Sequence, residues 1–392
     1  MVICFFADEL RLLNDSSGLH LTLHHPRSRC SPAPFPNLTF STILSHDEAR
    51  VRSLTARLTK TVSPLLRPAA VSIPLSPGAS IGVGNYVTQI GLGTPAKSYV
   101  MVVDTGSSLS WLQCSPCRIY CHDQVGPVFD PAASASYRPV SCSESECNSL
   151  ESKDVLSLGS GQRFAGFVYG CGQDNEGLFG RSAGLIGLAR NKLSLLSQLA
   201  PSLGYSFSYC LSTAASTGYL SIGSYNAGQF SYTPMQSSSL DNSLYFVRLT
   251  SITVGGRGLP VSSSAFTGTP TIIDSGTVIT RLPSNVYAAL SSAIAAALRE
   301  YPRQPAYSIL DTCFRGSLSR LAVPAVAMVF QGGATLRLAP RNVMIDVDGS
   351  TTCLAFAPAR RVAIIGNKQQ ETFSVVYDVG RSRIGFAAGG CG

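Results

Sequence analysis

The sequence predicts an all-β protein built as two similar lobes with a cleft between them, and three observations predict it. The first is composition. The chain has 392 residues, 45% hydrophobic and only 13% charged, with 36 glycines and 23 prolines, which describes a well-cored, turn-rich chain. The second is a repeated hexamer: Val102-Val103-Asp104-Thr105-Gly106-Ser107 returns 170 residues later as Ile272-Ile273-Asp274-Ser275-Gly276-Thr277. In each copy two β-branched residues make a buried strand that delivers a carboxylate to a turn, and Gly bends the backbone where a Cβ would clash. The third is that the surroundings repeat as well. Tyr86-Val87-Thr88-Gln89-Ile90-Gly91-Leu92-Gly93 precedes the first copy, and the run from Tyr245 to Gly256 precedes the second. Gly184-Leu185-Ile186-Gly187 follows the first, and Ala363-Ile364-Ile365-Gly366 the second. One Asp-Ser/Thr-Gly is ordinary turn chemistry. Two copies in matching frames, too far apart for a solenoid repeat, point to two lobes that each supply one carboxylate to a shared cleft.

These motifs, with Trp111 soon after the first triad, the run Gly170-Cys171-Gly172-Gln173-Asp174-Asn175-Glu176-Gly177-Leu178-Phe179-Gly180, and Ser208-Tyr209-Cys210-Leu211, resemble the pepsin-like aspartic proteases. Within them the chain is similar to the plant nepenthesin/nucellin-type branch, which includes a chloroplast-nucleoid DNA-binding protease. The resemblance runs from about Gly84 to Cys391. It implies the bilobal pepsin-like fold and an aspartic-type endopeptidase working at acid pH.

Taken in order, residues 1–80 are rich in Ser, Pro, Leu and His, with a short charged helical patch around His46-Asp47-Glu48-Ala49-Arg50-Val51-Arg52-Ser53-Leu54 and glycosylation sequons at Asn14 and Asn37. By resemblance this is a prosegment, a stretch that lies across the cleft with basic groups near the two carboxylates; a disordered tail is the alternative. The amino-terminal lobe is expected over 81–232, with strands at 86–93, 98–103, 164–170, 206–211 and 218–222 and a short helix at 194–199. Residues 233–243 are a polar, Ser-rich link, and 244–392 form the second lobe. Its one long helix is expected over 285–300, with Ser284 as the cap after Pro283 and Pro302 as the stop. The other second-lobe strands are expected at 326–330, 335–338, 343–347, 352–356, 362–365, 374–378 and 383–387.

Two carboxylates held close in a dry cleft cannot both ionise, so they share one proton. The charged member then takes a proton from a water between them, and the neutral member hydrogen-bonds the peptide carbonyl oxygen as the water attacks. This needs no covalent intermediate, cofactor or metal. Asp104 and Asp274 are therefore the candidate catalytic pair. The resemblance implies that Thr105 and Ser275 cross-bond beneath the pair and that Ser107 and Thr277 bond the outer carboxylate oxygens. Gly106 and Gly276 make the turns, and Trp111 is a supporting residue.

Several other classes are excluded or left without support. Lys and Arg are scattered despite a net charge of +8, so nucleic-acid binding is not expected. His20, His24, His25, His46 and His122 are the histidines; none suits a Ser-His or Cys-His nucleophile, and four lie in the first 80 residues. Gly170-x-Gly172 lacks the Lys-Ser/Thr ending of a phosphate loop. Cys114-x-x-Cys117 with Cys121 and His122 lacks the second half of a zinc set. Twelve cysteines instead read as a disulfide framework in an oxidising compartment. No run of about twenty apolar residues is present, so no membrane helix is expected. Met1 to Ala7 is too short for a signal-peptide core, and Asp8 and Glu9 follow at once. The chain thus reads as begun short of a leader or as not exported. Its family points to the secretory pathway, extracellular or vacuolar, with the chloroplast as an alternative. A monomer acting on peptide or protein chains is expected.

The chain also departs from its relatives. They carry a hairpin flap with a Tyr-Gly-Asp-like tip after the Cys142–Cys147 region, whereas here Cys147 is followed closely by Phe164 and the flap is absent near 148–163. The family pattern implies the pairs Cys114–Cys117, Cys121–Cys171, Cys210–Cys391 and Cys313–Cys353, with Cys142 and Cys147 left over. A flap-less, weakly active or inhibitor-like peptide binder is therefore the alternative function. Plant inhibitors of this type usually lose a catalytic Asp, and this chain keeps both. A DNA-binding protease homologue is the second alternative.

Overall fold

The first strand, β1 (Leu19–Leu23), alternates apolar and polar residues, and the alternation decides its faces: Leu19, Leu21 and Leu23 are buried and His20 is exposed. It pairs antiparallel with Gly218–Ile222 at the edge of a six-stranded sheet. That sheet continues through Ser206–Cys210, Phe373–Asp378, Arg383–Ala388 and Ser231–Pro234, so strands from both halves of the chain meet in it. Apart from a Leu-rich stretch, β1 was not foreseen. In this computed structural model the described residues are 19–25, 31–32, 39–59, 85–141, 151–159, 161–175, 180–213 and 216–391. Cys4, Cys30, Cys142, Cys147 and both sequon asparagines lie outside them.

Helix α1 (Phe40–Thr59) follows. Phe40, Ile43, Leu44, Asp47, Arg50, Leu54 and Leu58 are buried, a stripe at helical spacing that includes two charged residues. Its apolar members pack against the second lobe: Phe40, Ile43 and Leu44 join Val278, Ile279 and Leu310, while Leu54 and Leu58 join Phe246, Ile272 and Ile364.

The first half forms a seven-stranded sheet. β2 (Val87–Leu92) and β3 (Lys97–Asp104) are an antiparallel hairpin. β4 (Trp111–Gln113), β5 (Glu151–Leu158), β6 (Gln162–Gly172) and β7 (Gly184–Gly187) follow. β3 runs parallel to β7, Asp104 opposite Gly187, and β4 runs antiparallel to β7, Trp111 opposite Leu185. The second half repeats this arrangement. β8 (Thr271–Ile273) is parallel to β10 (Ala363–Ile365), and β9 (Thr280–Pro283), which lies between them in sequence, is antiparallel to β10 with Arg281 opposite Ile364. Two four-stranded sheets complete this half. The chain is thus all-β and bilobal, with few helices.

Several expectations need correction. Ser284 is not the cap: the helix is Ser284–Ala297, Pro283 stands at its N-cap, and the Ser284 hydroxyl donates to the Ala359 carbonyl oxygen at 3.2 Å. The strand expected at 352–356 is two strands, Thr351–Leu354 and Phe356–Ala359, which belong to different sheets. Residues 151–172 form a β5–β6 hairpin where only a strand at 164–170 was expected. The hairpin turn lies against β1, since a Cβ on Gly159 would come 3.2 Å from the His20 carbonyl oxygen. Trp111 pairs with Gly170 at the opposite end of β6, about 25 Å along the strand. The turn therefore does not roof the aspartates.

Two of the four implied disulfides are also different. Cys114 bonds Cys171 and Cys117 bonds Cys121, rather than Cys114–Cys117 and Cys121–Cys171. The parallel register of β4 on β6 is the cause: Leu112 lies opposite Cys171 and Gln113 opposite Gly172, which brings the Cα atoms of Cys114 and Cys171 to 5.4 Å. Cys210–Cys391 and Cys313–Cys353 are present as implied.

Candidate active site

Asp104 ends β3, and Asp274 follows β8 directly; both are fully buried. Each chain turns immediately at a glycine, because the loops approach too closely for a side chain. A Cβ on Gly106 would collide with the Arg50 guanidinium and one on Gly276 with the Asp104 carboxylate.

Thr105 and Ser275 hold the two loops to each other, while Ser107 and Thr277 each brace the aspartate of their own loop. Thr105 N–H donates to Ser275 Oγ at 3.1 Å, and Ser275 N–H donates to Thr105 Oγ1 at 2.9 Å. Ser107 donates to Asp104 Oδ2, and Thr277 Oγ1 donates to Asp274 Oδ2 at 2.7 Å. Gly106 N–H donates to Asp104 Oδ1 at 2.9 Å. Thus Thr105, Gly106, Ser107, Ser275, Gly276 and Thr277 are gathered with both carboxylates in one centre. Trp111 stands on β4, separated from β3 by β7, and is partly buried against Val87, Val100, Val102 and Leu185.

Sequence reasoning marked the charged patch but not which of its residues reaches the centre. It is Arg50 of α1. Its Nη2 lies 2.6 Å from Asp104 Oδ1 and 3.3 Å from Asp274 Oδ1, with the whole group buried. Burial alone would lower the guanidinium pKa, and the two carboxylates reverse that and raise it. Burial likewise raises Asp104, aided by the charge of Asp274, and together these outweigh Arg50. At Asp274 burial is outweighed by Arg50, Thr277 and the Gly276 N–H, and its carboxyl is held below the usual range. A second arginine of α1, Arg57, donates to the Gly106 carbonyl oxygen at 2.6 Å and pairs with Asp241 at 2.7 Å.

One turn before Arg50, Asp47 is buried against the second lobe. Its Oδ1 accepts from Val278 N–H at 2.5 Å. Its Oδ2 accepts from Ile279 N–H at 3.3 Å and from Arg281 Nη2 at 2.8 Å. Arg281 is itself buried, also reaches Glu48 at 2.7 Å, and donates through Nη1 to the Ile279 carbonyl oxygen at 2.7 Å. The signal that could have found Asp47, Arg50 and Arg57 is their spacing: charges three and seven residues apart on the stripe that also carries Ile43, Leu54 and Leu58.

Family models described as Xylanase inhibitor N-terminal match residues 86–155 and 150–224, and one described as Xylanase inhibitor C-terminal matches 244–388. An aspartyl protease family protein of Arabidopsis thaliana is 38% identical over 97% of this chain and 89% of its own length. Aspartic proteinase nepenthesin-2 of Nepenthes gracilis is 32% identical over 89% of this chain and 85% of its own length. Among solved structures, basic 7S globulin from soybean superposes with a TM-score of 0.63 at 21% identity, covering 78% of this chain and 93% of that one, which speaks to the fold alone.

Proposed function

The chain belongs to the plant pepsin-like aspartic proteases, and on that premise we propose that it hydrolyses peptide bonds with a water activated between Asp104 and Asp274. One observation carries the assignment: both buried carboxylates converge on a single atom, Arg50 Nη2. A water bound at that point would face both. As in other aspartic-protease dyads, the pair shares one proton, and the water loses a proton to the ionised member as it attacks the carbonyl carbon. The neutral member donates to the carbonyl oxygen. The mutual bonds of Thr105 and Ser275 hold the two loops at fixed separation, which such chemistry requires.

With α1 in place the cleft is filled. We take residues 1–80 as a prosegment whose Arg50 occupies the position of the water, so that activity needs α1 to leave. The disulfides favour an oxidising compartment, for which the secretory pathway is our reading, with the chain acting alone on peptide or protein substrates. Among the described residues no helix is long and apolar enough to cross a membrane.

The test is acidification of the full chain followed by cleavage of an unfolded protein substrate. Wild type should cut, be blocked by a statine-type mimic of the tetrahedral intermediate, and lose at least about a hundredfold of its rate in Asp274→Asn. Cleavage that survives Asp104→Asn or Asp274→Asn overturns the assignment. One observation favours a second reading, a slow peptide-binding homologue: the β5–β6 turn lies at the far end of β6 from Trp111, and a closing flap ordinarily excludes water. Tight statine binding with little turnover would select it.

A further inference from the structure

The carboxylate of Asp47 occupies a small built site that belongs to the second lobe. Two of its donors, the N–H groups of Val278 and Ile279, are backbone, and the third is the guanidinium of Arg281. Arg281 also has anchors outside α1. It sits on β9, paired with β10 on one side and with Phe356–Ala359 on the other, and its Nη1 is tied to the Ile279 carbonyl oxygen at 2.7 Å. If α1 departs, these second-lobe anchors remain and the three donors are left without the carboxylate they now hold.

The surroundings reinforce their sign. Arg281 lines a cavity of about 730 Å³ together with Arg360 and Arg361 of the same lobe, and with Glu48 and Arg52 of α1. Removing α1 takes away Asp47, Glu48 and Arg52 and leaves Arg281, Arg360 and Arg361 on the wall. Two N–H donors and a planar, permanently charged fork suit a carboxylate better than a neutral side chain.

We infer that the Val278–Ile279–Arg281 pocket is a substrate subsite for an acidic side chain, which Asp47 fills while α1 is docked. The inference rests on the reading of the cleft as a peptide-binding site. Position follows from the helix: Asp47 precedes Arg50 by three residues, about 5 Å of rise, and an extended peptide advances about 3.4 Å per residue. The acidic residue therefore belongs one or two places from the bond that meets the aspartates. Substrates rich in Asp and Glu are the class the wall would select.

The experiment uses acid-treated full chain and paired statine peptides that differ only in Asp against Asn at each of the two nearest positions on either side of the statine. Binding is measured by calorimetry, so turnover is not required. At one of those positions wild type should bind the Asp form about tenfold tighter or more. The ratio should fall toward one in Arg281→Met and recover in part in Arg281→Lys. If Arg281→Met does not fold, wild type alone still decides the matter: the ratio should shrink as pH is lowered through the peptide carboxyl, near 4. Equal binding of the two forms at every position overturns this subsite and leaves the protease reading standing, as does a ratio that Arg281→Met or acid leaves unchanged. Binding of neither form, at any position, removes the peptide cleft itself and the subsite with it.

Discussion

Trp111 and Arg281 occupy the same place in the two halves of the molecule. Each stands seven residues after its aspartate, and each lies opposite the residue two places before the glycine that follows the partner strand's apolar pair, Leu185 before Gly187 for Trp111 and Ile364 before Gly366 for Arg281. The duplication thus extends beyond the triads to the cleft walls, and there the halves diverge in chemistry: one wall carries an indole, the other a guanidinium.

Arg50 is the group whose loss should open the cleft. Arg50→Met leaves Asp104 and Asp274 buried against a methionine with no cation between them, weakening the docking of α1 by about 3–5 kcal/mol. At neutral pH the variant should bind a statine peptide that wild type excludes, as titration calorimetry would read. Exclusion by both chains would mean that Arg50 does not hold α1 in place.

Acid should release α1, and His46 should set part of the pH. Burial holds the His46 imidazole down at about 4, against 6.5 when free. The released segment therefore binds that proton more tightly, and docking stability present above 6.5 is lost as pH falls toward 4. Asp274, held low, works in the same direction as its carboxyl protonates and Arg50 loses an anion. Asp47 opposes them, since burial raises its carboxyl and protonation relieves that cost. Hydrogen exchange across 40–59 should show protection falling between pH 6.5 and 4. In His46→Gln the midpoint should move to lower pH by about half a unit or more, and an unmoved midpoint would remove His46 from the switch.

Cross-bonding of Thr105 and Ser275 should matter to stability as well as to turnover. Thr105→Val leaves the buried Ser275 N–H without its acceptor, at a cost of about 1–3 kcal/mol. Denaturant unfolding should report that loss, and kcat should fall more than KM rises, because the loop spacing and not the binding wall is disturbed. Wild-type stability in this variant would show that the crossed bonds add nothing.

Non-reducing peptide mapping should recover a fragment joining Cys114 to Cys171, and a small loop closed by Cys117 and Cys121. A Cys121–Cys171 fragment would contradict the β4–β6 register.

The triads, their framing strands and most second-lobe strands were legible because each carries its signal locally: β-branched pairs, alternation, and glycines at close approaches. β5 was not. Its inward positions include Ser152 and Asp154, both buried, and Asp154 accepts through Oδ1 from Ser136 and from the Val155 N–H at 2.7 Å. The strand therefore lacks the apolar alternation that announces one. The pairing among Cys114, Cys117, Cys121 and Cys171 was hidden because it depends on strand register, which spacing along the chain does not reveal. A basic group near the carboxylates was expected by resemblance, but that it is Arg50 was hidden, because a charged residue on a helix reads as solvated until its partners, 54 and 224 residues away, are placed beside it.

β1 has a consequence for how the cleft can be opened. The segment ahead of the first lobe grips the body twice, once through α1 in the cleft and once through β1, which is zipped onto Gly218–Ile222 over five positions and tied to Val87 by a pair of bonds from His24. A single cut between Thr59 and Asn85 would leave that segment as a bivalent ligand. While β1 holds, a displaced α1 remains at high effective concentration over the aspartates and rebinds faster than a free peptide could compete. Scission alone would therefore yield a nicked, still-plugged complex, and the length of time it stays plugged would be set by the peeling of a five-residue edge strand.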